Sequence, residues 1–148
     1  MNEDKYSFKK LPDTSYSEFL SNGPKGEIKK VVRYRLVEEF PNTIYNLGFG
    51  DWDSLTGDVN DKIKTNNNDR QKVLSTVAGT ILDFTKSHPN ALVFTQGSTP
   101  TRTRLYQMGI AAFWDEVNLL FVVLGYSNNG WELFETGKNY EAFLIKRK

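Results

Sequence analysis

From Ile28 onward apolar and polar positions alternate with a period of two. Ile28, Val32, Tyr34 and Leu36 fall on one side, and Lys29, Arg33 and Arg35 on the other. That period predicts a strand with one apolar and one basic face. Gly23-Pro24-Lys25-Gly26 precedes it and reads as a tight turn, because glycine and proline supply the special dihedrals of a reversal. Residues 44–52 read as the next strand, with Tyr45, Leu47 and Phe49 on one side. Ser54-Leu55-Thr56-Gly57 marks a hairpin whose second arm covers about 58–65. A helical period then takes over. Val73, Leu74, Val77, Ala78, Ile81 and Leu82 form one apolar stripe, with Asn68 or Asp69 as cap and Pro89 as stop.

The short apolar run from Ala91 to Phe94 follows that stop and predicts a buried strand. Gly97-Ser98-Thr99-Pro100 opens a second helix, with Thr99 as N-cap and Pro100 at the favoured first position. Its inner face is Leu105, Tyr106, Gly109, Ile110, Phe113 and Val117. Leu119–Leu124 is apolar on both faces, as in a strand covered on two sides. Ser127-Asn128-Asn129-Gly130 predicts a hairpin turn of type I′, and a closing strand covers about 140–146. The order β-β-β-α-β-α-β-β predicts an α+β fold, with a mixed, mostly antiparallel sheet and two main helices. Residues 1–148 are expected to form a single domain, of which 1–15 form an arm or edge strand.

Composition narrows the chemistry. Ten Phe, seven Tyr and three Trp supply enough large rings for a core without staples. With no cysteine, disulfides, thiolate metal sites and a cysteine nucleophile are excluded; one histidine, His88, leaves no multi-histidine metal site. A net charge of +1 argues against generic binding to nucleic acid or anionic membranes. The polar start lacks the apolar stretch of a signal peptide, and no run approaches membrane-spanning length. A cytoplasmic chain is expected.

Gly97–Arg104 is the chemically odd junction. Arg102 and Arg104 sit in the first turns of a helix, whose positive end prefers Asp or Glu by about 0.3–1 kcal/mol. Helix amides, two guanidinium forks and the hydroxyls of Ser98, Thr99, Thr101 and Thr103 together describe an anion cradle. The competing reading pairs Arg102 or Arg104 with an internal carboxylate such as Asp51 or Asp53. Asp51, Asp53, Asp58 and Asp61 crowd one hairpin, as a solvated turn, as partners of those arginines, or as an oxygen site for Mg²⁺ or Ca²⁺; the spacing is not that of an EF-hand, and no metal is expected. His88, beside Pro89 at a helix end, reads as structural. Lys29, Arg33 and Arg35 form a solvated face or an extension of the basic patch. Trp52, Trp114 and Trp131 read as packing residues.

The element order resembles the core of the Gcn5-related N-acetyltransferase fold. Thr80-Ile81-Leu82-Asp83-Phe84 resembles the end of that family's pyrophosphate helix, and Arg104-Leu105-Tyr106-Gln107-Met108-Gly109-Ile110 resembles its LYxxxGF segment. The resemblance implies acetyl-CoA as cofactor and Tyr106 as the acid that protonates the departing thiolate. It also implies a glycine-rich loop at the first helix, so that bare amides approach the phosphates. Here that stretch is Asp69-Arg70-Gln71-Lys72-Val73-Leu74, without glycine. The stretches GPKG, GDWD…TGD, NNNDRQKVL and GSTPTRTRLY are similar, over nearly the whole chain, to a family of uncharacterised bacterial proteins of this length. The expectation is a small soluble domain that binds a phosphate- or carboxylate-bearing ligand at residues 97–104, without cofactor. The alternatives are an acyl-CoA-dependent N-acyltransferase and a non-enzymatic interaction module, a homo-oligomer or partner-binding protein joined through a sheet edge or hairpin.

Overall fold

The computed structural model describes residues 5–11, 15–60 and 67–148. Their elements run β1 (Lys9–Lys10), β2 (Tyr16–Gly23), β3 (Gly26–Glu38), β4 (Ile44–Asp53), β5 (Asp58–Asn60), α1 (Arg70–Ser87), β6 (Leu92–Thr95), α2 (Pro100–Ala112), α3 (Trp114–Leu120), β7 (Phe121–Ser127), β8 (Gly130–Leu133) and β9 (Ala142–Arg147). The strands pair in the order β1-β2-β3-β4-β6-β9-β7-β8, with β5 on β4. The fold is α+β with a mostly antiparallel sheet. β4 and β6 run parallel. The predicted arm 58–65 is strand over Asp58–Asn60, and its remainder lies outside the described residues. Chain contacts divide the protein into two units, Met1–Arg35 with Leu47–Asp83, and Leu36–Asn46 with Phe84–Lys148.

In the first unit, β1 lies antiparallel on β2 at one end of the strand order. β2 and β3 form a hairpin whose register closes at Gly23↔Gly26. The sequence conceals β2 because its buried positions are Ser17, Phe19 and Ser21, two of them serines. β3 corrects the reading of one apolar and one basic face: Lys30, Val31 and Val32 are buried in succession. The Lys30 ammonium pairs with the Asp51 carboxylate. The stripe expected on α1 is also corrected. Val73 and Val77 are buried, but so are Ser75, Thr76, Thr80 and Thr85, whereas Leu74, Ala78, Ile81 and Leu82 are half-buried. Thr76, Thr80 and Thr85 enter the interior with polar partners, as buried polar groups ordinarily do, whereas Ser75 Oγ has none among the described residues. Thr76 Oγ1 accepts from the Tyr6 amide at 2.9 Å, and Thr80 Oγ1 lies 2.9 Å from the Tyr34 hydroxyl. Burial pushes the Tyr34 phenol far above its ordinary range.

The second unit shows clean alternation. Tyr45, Val93, Ile145 and Val123 share one register row; Asn46, Phe94, Leu144, Leu124 and Leu133 share the next, facing the opposite way. Helices cover the first side. Tyr45 meets Phe84 edge-on at 4.9 Å, Arg147 Nε donates to Thr85 Oγ1 at 3.2 Å, and Phe134 bridges Trp114 and Phe143.

Three readings are corrected here. The single helix predicted through Val117 breaks at Phe113 (φ −109°, ψ 21°), and α3 restarts with Asp115 and Glu116 in its first turn, where the dipole favours acids. Residues 119–120 are helical, and β7 is buried on one side alone, at Phe121, Val123 and Gly125. In the β7–β8 turn the positive φ falls on Gly130 (95°) and on neither asparagine, so a bulged turn replaces type I′.

Candidate functional site

The junction between β6 and α2 depends on one glycine. A Cβ on Gly97 would stand 2.4 Å from the Thr103 amide nitrogen and 2.7 Å from the Arg102 carbonyl carbon, closer than any side chain tolerates. The loop therefore folds against the first turn of α2, where the Gly97 amide donates to Thr103 Oγ1 at 3.0 Å and that hydroxyl donates to the Thr99 carbonyl at 3.2 Å. Thr99 is extended (φ −137°, ψ 159°) and caps the helix as predicted, its Oγ1 accepting the Arg102 amide at 3.2 Å. Pro100 takes the first helical position, where no amide is needed. The Thr101 amide finds no acceptor among the described residues.

This junction forms one wall of an open cleft of about 790 Å³, lined by Gln96–Thr101, Thr103, Arg104 and Gln107, with Asn139, Tyr140 and Glu141 on the other wall. Gln107 ties the two walls. Its amide donates to the Lys138 carbonyl, and its Oε1 accepts from the Tyr140 amide at 3.0 Å. The Tyr140 hydroxyl donates to Glu132 Oε2 at 2.9 Å and accepts from the Glu135 amide at 3.0 Å. Burial pushes the Tyr140 phenol up. Glu132 is held below the usual carboxylate range by the Lys138 ammonium and then by that phenol, while Lys138 is raised by hydrogen bonds to Glu132 and Glu135. The second wall is thus fixed by its own polar network.

Of the predicted ligand residues, Ser98, Thr99, Thr101 and Arg104 line the cleft. Arg102 is not in the lining; its guanidinium donates to Ser98 Oγ at 3.1 Å and so steadies a hydroxyl that is. Neither arginine forms an ion pair among the described residues. Asp51 is engaged by Lys30, and Asp53 Oδ1 accepts the Leu55 amide at 2.9 Å. Asp61 lies outside the described residues. Tyr106 is half-buried on α2 and is not among the lining side chains. Sequence reasoning missed Gln107 and the Asn139–Glu141 wall. A side-chain amide in an otherwise apolar helical pattern was the available signal.

A family of unknown function, DUF6934, matches residues 2–148. The chain belongs to this family. No curated protein and no solved structure matches it. In this DUF6934 chain the stretch 69–74, where the acetyltransferase resemblance would seat a pyrophosphate, is in contact with the N-terminal arm. Asp69 Oδ2 accepts hydrogen bonds from the Tyr6 and Ser21 hydroxyls, each at 2.5 Å, and the Lys72 ammonium sits 4.3 Å from the Tyr6 ring centroid. His88 stacks on Phe84, ring centroids 4.3 Å apart, with Nδ1 3.1 Å from the Phe84 carbonyl oxygen.

Proposed function

We propose that this protein binds a small anionic ligand, bearing a phosphate or carboxylate, at the strand–helix junction 97–104. The observation that carries this reading is a pair of guanidinium groups at the positive end of a helix with no carboxylate partner among the described residues. A helix start with two arginines and no acid in its first turn is unfavourable in isolation. An anion reverses that sign, because the dipole, the Thr101 amide and Arg104 then all attract the same charge. Glu141 keeps the second wall unfavourable to anions, so the ligand's negative group belongs at the 98–104 end. Ser98, Thr99 and Thr101 supply neutral hydroxyls that bond either a phosphate or a carboxylate.

Thermal unfolding with inorganic phosphate and with citrate tests the reading. A ligand at a hundred times its dissociation constant adds roughly 2.7 kcal/mol, a rise of roughly 5–10 °C for a chain of this size. Arg104→Ala removes a charge-assisted contact worth roughly 1.5–3 kcal/mol, which is roughly a 10- to 100-fold weaker Kd. Arg70→Ala leaves the shift intact. Millimolar acetyl-CoA is expected to give no shift. An anion-induced shift that persists in Arg104→Ala but is lost in Arg70→Ala would place the ligand at the other helix.

A further inference from the structure

Among the described residues, one side of the sheet in the second unit is apolar and without cover. Its register rows bring Phe94, Val122, Tyr126, Trp131, Leu133 and Leu144 to a single face. Val122 and Tyr126 are each 38% exposed, Trp131 42% and Leu133 67%. Tyr126 and Trp131 touch at 5.2 Å and Phe94 and Trp131 at 6.2 Å, so the patch is continuous. An antiparallel sheet with one solvated face ordinarily turns polar residues outward. Here β6 and β7 carry apolar side chains on this face as well as on the helix-covered one, and β9 does so as far as Ile145.

We infer that this face is a homodimer interface, on which a second copy of the chain packs the same face about a two-fold axis. The four exposed side chains alone offer roughly 400 Å², within the size range of a monomer's largest apolar patch, which is often a functional surface. Two such faces laid together, with their half-buried neighbours, remove roughly 1,000 Å², the lower bound for a specific protein interface. Sheets packed face to face in this way interdigitate at roughly 10 Å. Composition selects the second copy over a different partner. Among the described residues that the register puts on this face, Lys146 is the sole charge. Charge-poor apolar surfaces are characteristic of homodimers, whereas selection of a foreign partner uses complementary charge. A nucleic acid or anionic membrane would meet one cation there.

Light scattering on the size-fractionated full chain, over a range of micromolar concentrations, reads the outcome. The expected species has twice the 17.0 kDa mass of the chain. Leu133→Glu and Val122→Lys, both at exposed positions, are expected to weaken the dimer at least 100-fold while keeping the wild-type far-ultraviolet circular dichroism. A mild variant guards against misfolding. Because the chain has no cysteine, Leu133→Cys introduces its one thiol. That thiol should react with a thiol reagent at least tenfold more slowly at concentrations that dimerise than after dilution. A monomer at every concentration, a dimer that survives both charged variants, or a thiol rate independent of concentration would each overturn the inference.

Discussion

Lys30→Met is expected to destabilise the protein by roughly 3–5 kcal/mol, the usual cost of leaving one member of a buried ion pair uncompensated. Lys30 is 2% exposed and Asp51 8%, and the two side chains meet between β3 and β4. Methionine keeps the length and packing of the lysine stem but removes the charge, so the Asp51 carboxylate stays buried without its ammonium. A fall in melting temperature on the order of 10 °C is expected for a chain of this length. The double variant Lys30→Met, Asp51→Leu separates pairing from packing, because replacing both charges by apolar groups is often neutral. Urea unfolding should show the double variant recovering most of the loss. A single variant within 1 kcal/mol of wild type, or a double variant less stable than the single, would show that the pair does not hold these strands.

Gly97→Ala is expected to have the largest effect on the candidate site. The added methyl group meets backbone at 2.4 Å and 2.7 Å, and backbone in the first turn of a helix gives way far less easily than the end of a flexible side chain. Either the loop or the first turn of α2 must move, at roughly 1–3 kcal/mol. The same movement separates the Gly97 amide from Thr103 Oγ1 and displaces Thr99, Thr101 and Arg104 from one another. Gly97→Ala should therefore lower the melting temperature and also abolish the shift produced by inorganic phosphate. Ser98→Ala is the comparison, since it removes one hydroxyl from the lining without touching the backbone. If Gly97→Ala binds phosphate as wild type does, the approach of the loop to α2 does not form the site.

What could be read from the sequence follows from which residues carry periodicity. Thr99 and Pro100 announced the start of α2, because a capping hydroxyl followed by proline at the first helical position has one local meaning. Gly23 and Gly26 likewise announced the tight turn that leads into β3. The parts that were hidden depend on partners distant in the chain. β2 was obscured because Ser17 and Ser21 occupy inward positions. Lys30 falls on the apolar side of the alternation, and nothing local shows its partner, Asp51, which lies 21 residues away. The hydroxyl face of α1 is illegible for the same reason, since Thr76 and Thr80 are satisfied by Tyr6 and Tyr34. At the candidate site, Ser98, Thr99, Thr101 and Arg104 were found from composition at a helix start. Asn139, Tyr140 and Glu141 were not, because that segment is joined to α2 through the Gln107 side chain, far away in the chain. β7 carried its own warning, an apolar run on both faces whose second face has no cover within the unit.

A crystal structure grown with sulfate or phosphate decides whether the junction 97–104 receives an anion. An anion is expected within roughly 3 Å of both the Arg104 guanidinium and the Thr101 amide, with Arg102 still donating to Ser98 and with density lost in crystals of Arg104→Ala. Arg102 and Arg104 both committed to protein carboxylates, with anions bound elsewhere and none at residues 98–104, would contradict it.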